Sequence, residues 1–255
     1  MEWLKFRASA CAPLFTGEDG LTEKQEEKLS QLLAKEKRTA LQEQEMLDLI
    51  AKRDAEPELP KGAKTYIEGL VDQYVYKYED SIDNKYVRKG LAVEDSEDDD
   101  INKSAIKIAS RVIFADYSKS VSYLQKGHFH GHPDIEDEDE QEIVDIKSSW
   151  NKKTFPKRPE DGHDSTYEWQ GKLYCYMKGW RKFKLCYVLM TTPEELVPDN
   201  ESDSLHYCND LPLNLRVTYL DYELTDNDIE KIERREQAAI KYAQEYYNFL
   251  INKNK

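Results

Sequence analysis

The chain of 255 residues lacks the features that mark membrane, secreted and metal-stapled proteins. No apolar run approaches the roughly 20 residues that a membrane span requires, and the opening MEWLKFRASACAPLF lacks the basic flank and long apolar segment of a signal peptide. The four cysteines form no CxxC pair, so they indicate neither a zinc ribbon nor an iron–sulfur cluster. We therefore expect a soluble, cytoplasmic protein with reduced, mostly buried thiols.

Acidic residues outnumber basic ones. The chain has 37 Lys and Arg against 51 Asp and Glu, a formal net charge of −14, and phosphate binding normally depends on clustered Lys and Arg. However, the segments 94–100 and 134–142 hold thirteen of the acids, and without them 37 basic residues face 38 acidic ones. Basic residues cluster in 147–158 and 172–184. A basic surface beside an acidic site is compatible with this pattern, and so are ordinary solvated faces.

Hydrophobic periodicity predicts several helices. Residues 21–54, dense in Glu, Lys, Gln and Leu, predict a helical hairpin, and residues 165–179 and 225–255 each predict one further helix. Residues 85–109 also favour a helix, although the acids of 94–100 repel one another at helical spacings unless a cation lies nearby.

Strand patterns complete an α/β architecture. Residues 127–134 and 142–147 predict two antiparallel strands joined by an acidic loop, and 183–191 and 215–222 predict two more strands. We predict one domain over residues 1–255, with a mixed central sheet flanked by helices and the hairpin as an elaboration.

The segment Val144-Asp-Ile-Lys-Ser148 contains the first candidate site residues. Side chains alternate across a strand, so Asp145 and Lys147 share one face. Antiparallel pairing with the preceding strand would bring Asp134 beside Asp145. Two neighbouring carboxylates repel unless they are protonated or bind a metal. Hard oxygen ligands of this kind select Mg²⁺ or Mn²⁺.

Three motifs give this spacing a context: Gly131-His-Pro-Asp134, Val144-Asp-Ile-Lys-Ser-Ser-Trp150 and Gln170-x₃-Tyr174. Together they resemble the PD-(D/E)xK nuclease superfamily, most closely the phage exonucleases of the lambda exonuclease/YqaJ type, with RecB-like nuclease domains as more distant relatives. The resemblance implies a restriction-endonuclease-like core. It extends over residues 1–195, because Phe6-Arg-Ala-Ser9 and Lys89-Gly90-x₃-Glu94 resemble further elements of the phage members.

The resemblance also implies roles for individual residues. It implies metal ligation by Glu94, Asp134, Asp145 and the Ile146 carbonyl. Lys147 would be the catalytic lysine. Gln170 and Tyr174 would support the site and the substrate. A group of DNA- and phosphate-binding residues would comprise Arg7, Ser9, Ser148, Ser149 and Lys152. The sequence leaves open whether Glu94, Asp95 or Glu97 is the third carboxylate.

The implied activity is that of a Mg²⁺-dependent DNA exonuclease, with Mn²⁺ as a substitute, which hydrolyses phosphodiester bonds at duplex ends during phage recombination or DNA processing. The implied partner is a single-strand annealing protein, and the implied location is the bacterial host cytoplasm if a phage encodes the chain. Endonuclease action and the oligomeric state stay open.

Two other classes of function are compatible with the residues. His128, His130, His132 and Asp134 alternate onto one strand face, and His130-x-His132-x-Asp134 resembles the ligand run of zinc hydrolases, although Ile135 stands where those enzymes need another histidine. A non-enzymatic DNA- or protein-binding module on a nuclease scaffold is the other alternative.

Overall fold

The computed structural model describes residues 1–16, 21, 23–35, 37–54, 59–80 and 83–253. The helices of this part of the chain are α1 (Glu23–Leu33), α2 (Ala40–Asp54), α3 (Lys61–Tyr76), α4 (Lys85–Val93), α5 (Ala105–Ile113), α6 (Ser165–Lys178), α7 (Asp203–His206) and α8 (Asp226–Asn252). Its strands are β1 (Phe6–Arg7), β2 (Leu124–Lys126), β3 (Phe129–Gly131), β4 (Ile135–Asp137), β5 (Glu142–Ser149), β6 (Lys182–Leu189) and β7 (Val217–Glu223). None of the described helices is both long enough and apolar enough to cross a bilayer.

The central sheet has the strand order β4-β5-β6-β7. Strands β5 and β6 are parallel, whereas β4 and β7 run antiparallel to their neighbours. The sheet is therefore mixed and has helices on both faces, which confirms the predicted fold class.

A second, smaller sheet has the order β1-β3-β2. Strand β3 pairs parallel with β1 and antiparallel with β2, so the prediction of one continuous strand over 127–134 that pairs with 142–147 is wrong. Only β4, which follows Asp134, pairs with β5. Pro133 lies between β3 and β4. Because proline has no N–H to donate to a ladder, it suits a position where the chain passes from one sheet to the next.

Side-chain alternation along β5 divides the core in two. Ile143 faces the cluster that contains α6 residues such as Leu173, and Val144 and Ile146 face the cluster that contains α5 residues such as Ile108. Asp145 and Lys147 alternate with Val144 and Ile146, so they lie on the α6 face.

The predicted helix over 85–109 is interrupted. Helix α4 ends at Val93 and α5 begins at Ala105. In the intervening acidic segment, Asp98 Oδ1 accepts a hydrogen bond from the Asp100 N–H at 2.9 Å, and Lys103 Nζ lies 2.5 Å from Asp98 Oδ2. The acids therefore bind backbone amides and lysines in turns, where they avoid the helical spacings at which like charges repel.

The predicted hairpin over 21–54 corresponds to α1 and α2, which share a small core of Leu29, Leu32, Met46 and Leu49. The final helix starts after Thr225, whose hydroxyl accepts from the Asp228 N–H in a capping box. Residues 22 and 36 of the predicted hairpin and 254–255 of the predicted helix lie outside the described residues.

Candidate active site

Two residues of β5, Asp145 and Lys147, form an ion pair at the centre of the site. Asp145 is fully buried, and its Oδ2 lies 2.5 Å from the Lys147 Nζ. The lysine side chain is 22% exposed, so Lys147 extends from the buried carboxylate toward the protein surface.

Asp134 joins this pair from the start of β4. Ile135 is registered opposite Val144, and the antiparallel ladder continued by one residue brings Asp134 opposite Asp145. The Ile146 N–H donates to Asp134 Oδ2 at 2.7 Å. The two carboxylates predicted to be neighbours therefore lie together at the edge of the central sheet.

Helix α6 supplies an amide that bridges the acid and the lysine. Gln170 Nε2 donates to Asp145 Oδ1 at 3.0 Å, and Lys147 Nζ donates to Gln170 Oε1 at 3.3 Å. Gln170 Nε2 also lies 3.2 Å from the Tyr174 hydroxyl. Residues four apart share one face of a helix, so the Gln170-x₃-Tyr174 spacing directs both side chains at the site.

Glu94 is the C-cap residue of α4. Its Oε1 lies 2.7 Å from the Lys119 Nζ, and its side chain is 22% exposed. Among the three acids that the sequence left open, Asp95 accepts from the Ser104 hydroxyl at 3.2 Å, whereas the charge of Glu94 acts on both Asp134 and Asp145. Of these three acids, Glu94 is therefore the one whose charge acts on the pair of buried aspartates.

The buried charges perturb one another. Burial, together with repulsion from Asp145 and Glu94, raises the pKa of Asp134 to about 7 against the attraction of Lys147. Burial also raises the pKa of Asp145, against the attraction of Lys147. Burial alone would lower the pKa of Lys147, but Asp145 and Asp134 outweigh it and raise that pKa. The lysine is therefore an ammonium at neutral pH, within a pocket that has excess negative charge.

The oxygen donors of this pocket suit a hard, partly hydrated cation. Asp134 and Asp145 supply carboxylates, and the motif resemblance implies the main-chain carbonyl of Ile146, the residue after Asp145, as a further ligand. Mg²⁺ is commonly bound through one or two carboxylates and keeps several waters. In the described part of the chain, no three His, Cys, Asp or Glu side chains are grouped to hold a metal ion. The donor set therefore fits Mg²⁺ and not a closed site made only of side chains.

The histidines have other partners. His132 Nδ1 lies 3.0 Å from the Ser122 carbonyl oxygen, and the Tyr123 ring lies 5.7 Å from the His130 ring and 5.0 Å from the His132 ring. Burial, followed by Arg7 and Lys5, lowers the pKa of His130. Among the described residues, the ligand group that the zinc-hydrolase alternative requires is not assembled.

The proposed phosphate-binding residues lie on two sides of the pocket. Arg7 and Ser9 are exposed, and Arg7 is registered opposite His130. Strand β3, which pairs with β1, approaches the site closely, because a Cβ on Gly131 would lie 2.7 Å from the Tyr174 ring and 3.4 Å from the Ala8 Cβ.

On the other side, Ser148 and Lys152 are half-buried near the end of β5. Ser149 is buried. Its carbonyl accepts from Lys89 Nζ, so Ser149 contributes to packing at the strand end.

Lys89 is a structural residue whose role the sequence did not reveal. It is 1% exposed, and its Nζ donates to the carbonyls of Ser149 at 2.7 Å, Trp150 at 2.9 Å and Met190 at 2.8 Å. Burial lowers its pKa to about 8. The ammonium ties α4, which ends at Glu94, to the ends of β5 and β6. The motif Lys89-Gly90-x₃-Glu94 was the only signal for it.

Lys119 is the second residue that sequence reasoning missed. Its ion pair with Glu94, together with the 2.7 Å hydrogen bond from the Ser120 N–H to the Asp134 carbonyl, holds the segment before β2 against the site. No motif in the sequence marks this segment.

Comparison with known proteins identifies the fold. No family model matches the sequence, and no curated protein matches it significantly. The structure is similar to a phage-related exonuclease from Haemophilus somnus 129PT, with a TM-score of 0.68, 21% identity and coverage of 99% of this chain and 97% of that one.

It is also similar to the alkaline exonuclease LHK-Exo from Laribacter hongkongensis, with a TM-score of 0.51, 14% identity and coverage of 99% and 96%. For the complex of LHK-Exo with dAMP, the TM-score is 0.52 and the identity is 15%, with coverage of 99% of this chain and 96% of that one. The chain therefore shares the fold of these exonucleases over nearly its whole length, which confirms the fold implied by the motif resemblance.

Proposed function

We propose that this protein is a Mg²⁺-dependent deoxyribonuclease that hydrolyses phosphodiester bonds at the ends of duplex DNA. The observation that carries the proposal is the assembly of Asp134, Asp145, Lys147 and Gln170 in one pocket. Its support is the fold, which this chain shares with proteins described as exonucleases.

Asp134, Asp145 and the Ile146 carbonyl would hold the ion, with Glu94 as a further carboxylate. When bound, Mg²⁺ supplies Lewis-acid polarisation of the scissile phosphate and acidifies a coordinated water. A bound cation would also favour the ionised forms of Asp134 and Asp145, whose pKa values burial raises. Mn²⁺ prefers the same oxygen ligands and would substitute.

Lys147 provides positive charge for the phosphate. Since its pKa is raised, it acts as an ammonium and not as a general base. It would stabilise the negative charge that grows on the phosphate oxygens in the transition state. Gln170 orients it, because the amide oxygen accepts from Lys147 while the amide nitrogen donates to Asp145.

The DNA end would be recognised through phosphate. Arg pairs well with phosphate oxygens, and serine hydroxyls add donors, so Arg7 and Ser9 on one side and Ser148 and Lys152 on the other are the proposed contacts. We assign the protein to phage recombination or DNA processing in a host cytoplasm, together with a single-strand annealing protein. The description of one structural neighbour as phage-related supports this setting.

The activity is tested by incubating matched linear and covalently closed circular duplexes with the protein in Mg²⁺, Mn²⁺ or EDTA. Degradation of the linear DNA alone, with no products in EDTA, is the expected result. Nicking of circles would instead identify an endonuclease. DNA binding without cleavage in either metal would support the binding-module alternative, and cleavage that survives EDTA would contradict the metal assignment.

A further inference from the structure

Lys147 has a third partner besides Asp145 and Gln170. Its Nζ lies 4.7 Å from the centroid of the Tyr167 ring, within the roughly 6 Å over which a cation is attracted to an aromatic face. Tyr167 lies outside the Gln170-x₃-Tyr174 motif.

The start of α6 determines where Tyr167 lies. Asp164 caps the helix and accepts from the backbone N–H groups of Thr166 at 2.7 Å and Tyr167 at 3.4 Å. Tyr167 therefore sits in the first helical turn, three residues before Gln170. Positions three apart share a helix face, so the ring and the amide reach the same ammonium from one rigid element.

A second tyrosine holds the ring from the sheet side. Tyr187 is registered directly opposite Lys147 on β6, and its ring forms an edge contact with Tyr167 at 6.4 Å between centroids. The Tyr187 hydroxyl donates to the Gly162 carbonyl at 2.8 Å. Tyr167 is thus held at both its helix position and its ring.

We propose that Tyr167 is a positioning residue for Lys147, an inference that rests on the proposed nuclease function. The ammonium is attracted strongly by Asp145, and a phosphate must compete for it. A carboxylate in the place of the Tyr167 ring would also attract the ammonium, but it would add negative charge that repels the incoming phosphodiester. The face of an aromatic ring attracts the ammonium without adding a formal negative charge, so Tyr167 can orient Lys147 at a smaller electrostatic cost to DNA binding.

The inference is tested with variants of the full chain, measuring kcat and KM on linear duplex DNA and the DNA dissociation constant in EDTA. Tyr167→Phe keeps the ring and should retain near-normal kcat. Tyr167→Leu removes it and should lower kcat by about tenfold, which corresponds to about 1.4 kcal/mol, with KM and DNA affinity within about twofold of wild type.

A series of fluorinated rings at position 167 separates the electrostatic effect of the ring on Lys147 from its effect on packing. Phenylalanine carrying one, two or three ring fluorines at position 167 keeps the ring but weakens its attraction for a cation, so log kcat should fall stepwise. Tyr176 offers a matched control on the same helix, since its ring lies 3.7 Å from Lys126 Nζ. The same series at Tyr176 should leave kcat unchanged.

The outcomes distinguish this inference from the function on which it rests. An inactive wild-type protein would overturn both. An active wild type with a flat fluorination series, or with a loss confined to KM, would overturn the role of Tyr167 alone. If Tyr167→Leu melts at a much lower temperature than wild type, the fluorinated variants decide the question.

Discussion

Two acid–lysine pairs in this molecule have the same contact distance, but the pKa of the acid is shifted in opposite directions. Asp145 and Lys147 are 2.5 Å apart in the active-site pocket, and Asp98 and Lys103 are 2.5 Å apart in the acidic segment between α4 and α5. The pKa of Asp98 is lowered, first by its hydrogen bond to Lys103, whereas the pKa of Asp145 is raised by burial. Burial, and not the number of acids, separates a reactive pocket from a solvated surface.

The largest expected effect is on catalysis. Asp145→Asn removes a metal-binding charge and Lys147→Ala removes the ammonium, so each should lower kcat on linear DNA by about a thousandfold or more. DNA binding should persist, because affinity comes mainly from phosphate contacts. The matched variants Asp98→Asn and Lys103→Ala should remain within about twofold of wild type. Equal losses in both pairs would contradict the comparison.

The next effect concerns Lys89, a buried lysine that has carbonyl partners in place of a carboxylate. Lys89→Met would leave the carbonyls of Ser149, Trp150 and Met190 without their common donor, and we expect the free energy of unfolding to fall by about 3 kcal/mol. Chemical denaturation measures this change. Lys85→Met, on the same helix but half-exposed, is the control and should alter stability much less. A tolerated Lys89→Met would mean that water replaces the ammonium.

Asp134 should show the opposite trend, with function lost and stability gained. Its folded-state pKa of about 7 exceeds the ordinary value of 3.8 for an aspartate, so the folded state binds the proton more tightly and loses stability as the pH rises from about 4 to about 7. In EDTA at pH 8, Asp134→Asn should therefore raise the free energy of unfolding by about 2 kcal/mol. Asp98→Asn should give no such gain. Destabilisation by Asp134→Asn would show that the carboxylate is satisfied without metal.

The smallest expected effect is a pH dependence of metal affinity. Below its pKa of about 7, Asp134 carries a proton that the ion must displace. The apparent Mg²⁺ affinity, measured from activity at limiting Mg²⁺, should fall by about tenfold per pH unit below this value, and saturating Mg²⁺ should largely remove the dependence. An affinity that does not vary between pH 6 and 8 would place the titrating proton elsewhere.

Local sequence patterns predicted the elements that depend on periodicity. The hairpin, the capped C-terminal helix and the alternation that puts Asp145 and Lys147 on one face were all readable, because one amphipathic stripe or one strand determines each. The separation of β3 from β4 depends on which partner strand each finds, and neither segment contains that information. The interruption after Val93 was signalled by like charges, yet its geometry depends on turn contacts such as the Asp98–Lys103 ion pair, which no periodic pattern predicts.

The same reasoning explains which pocket residues were found. Asp134 was predicted from strand pairing and again from motif resemblance, whereas Gln170 and Tyr174 were predicted from the resemblance alone. The structure places all three near Asp145. Lys119 and the Lys89 ammonium act through contacts with residues 25 to 101 positions away along the chain. Such contacts exist only after the sheet and helices have packed, and a single sequence carries no pattern for them.

The gap between α6 and the central sheet is set at Gly171, where the ring of Phe183 occupies the space that a Cβ would need. The next residue toward the N-terminus is Gln170, whose amide must reach Asp145. One methyl group added at Gly171 would push the helix outward and draw the amide away from the acid. The position of the Gln170 amide in the active site thus depends on the absence of a side chain at its neighbour, Gly171.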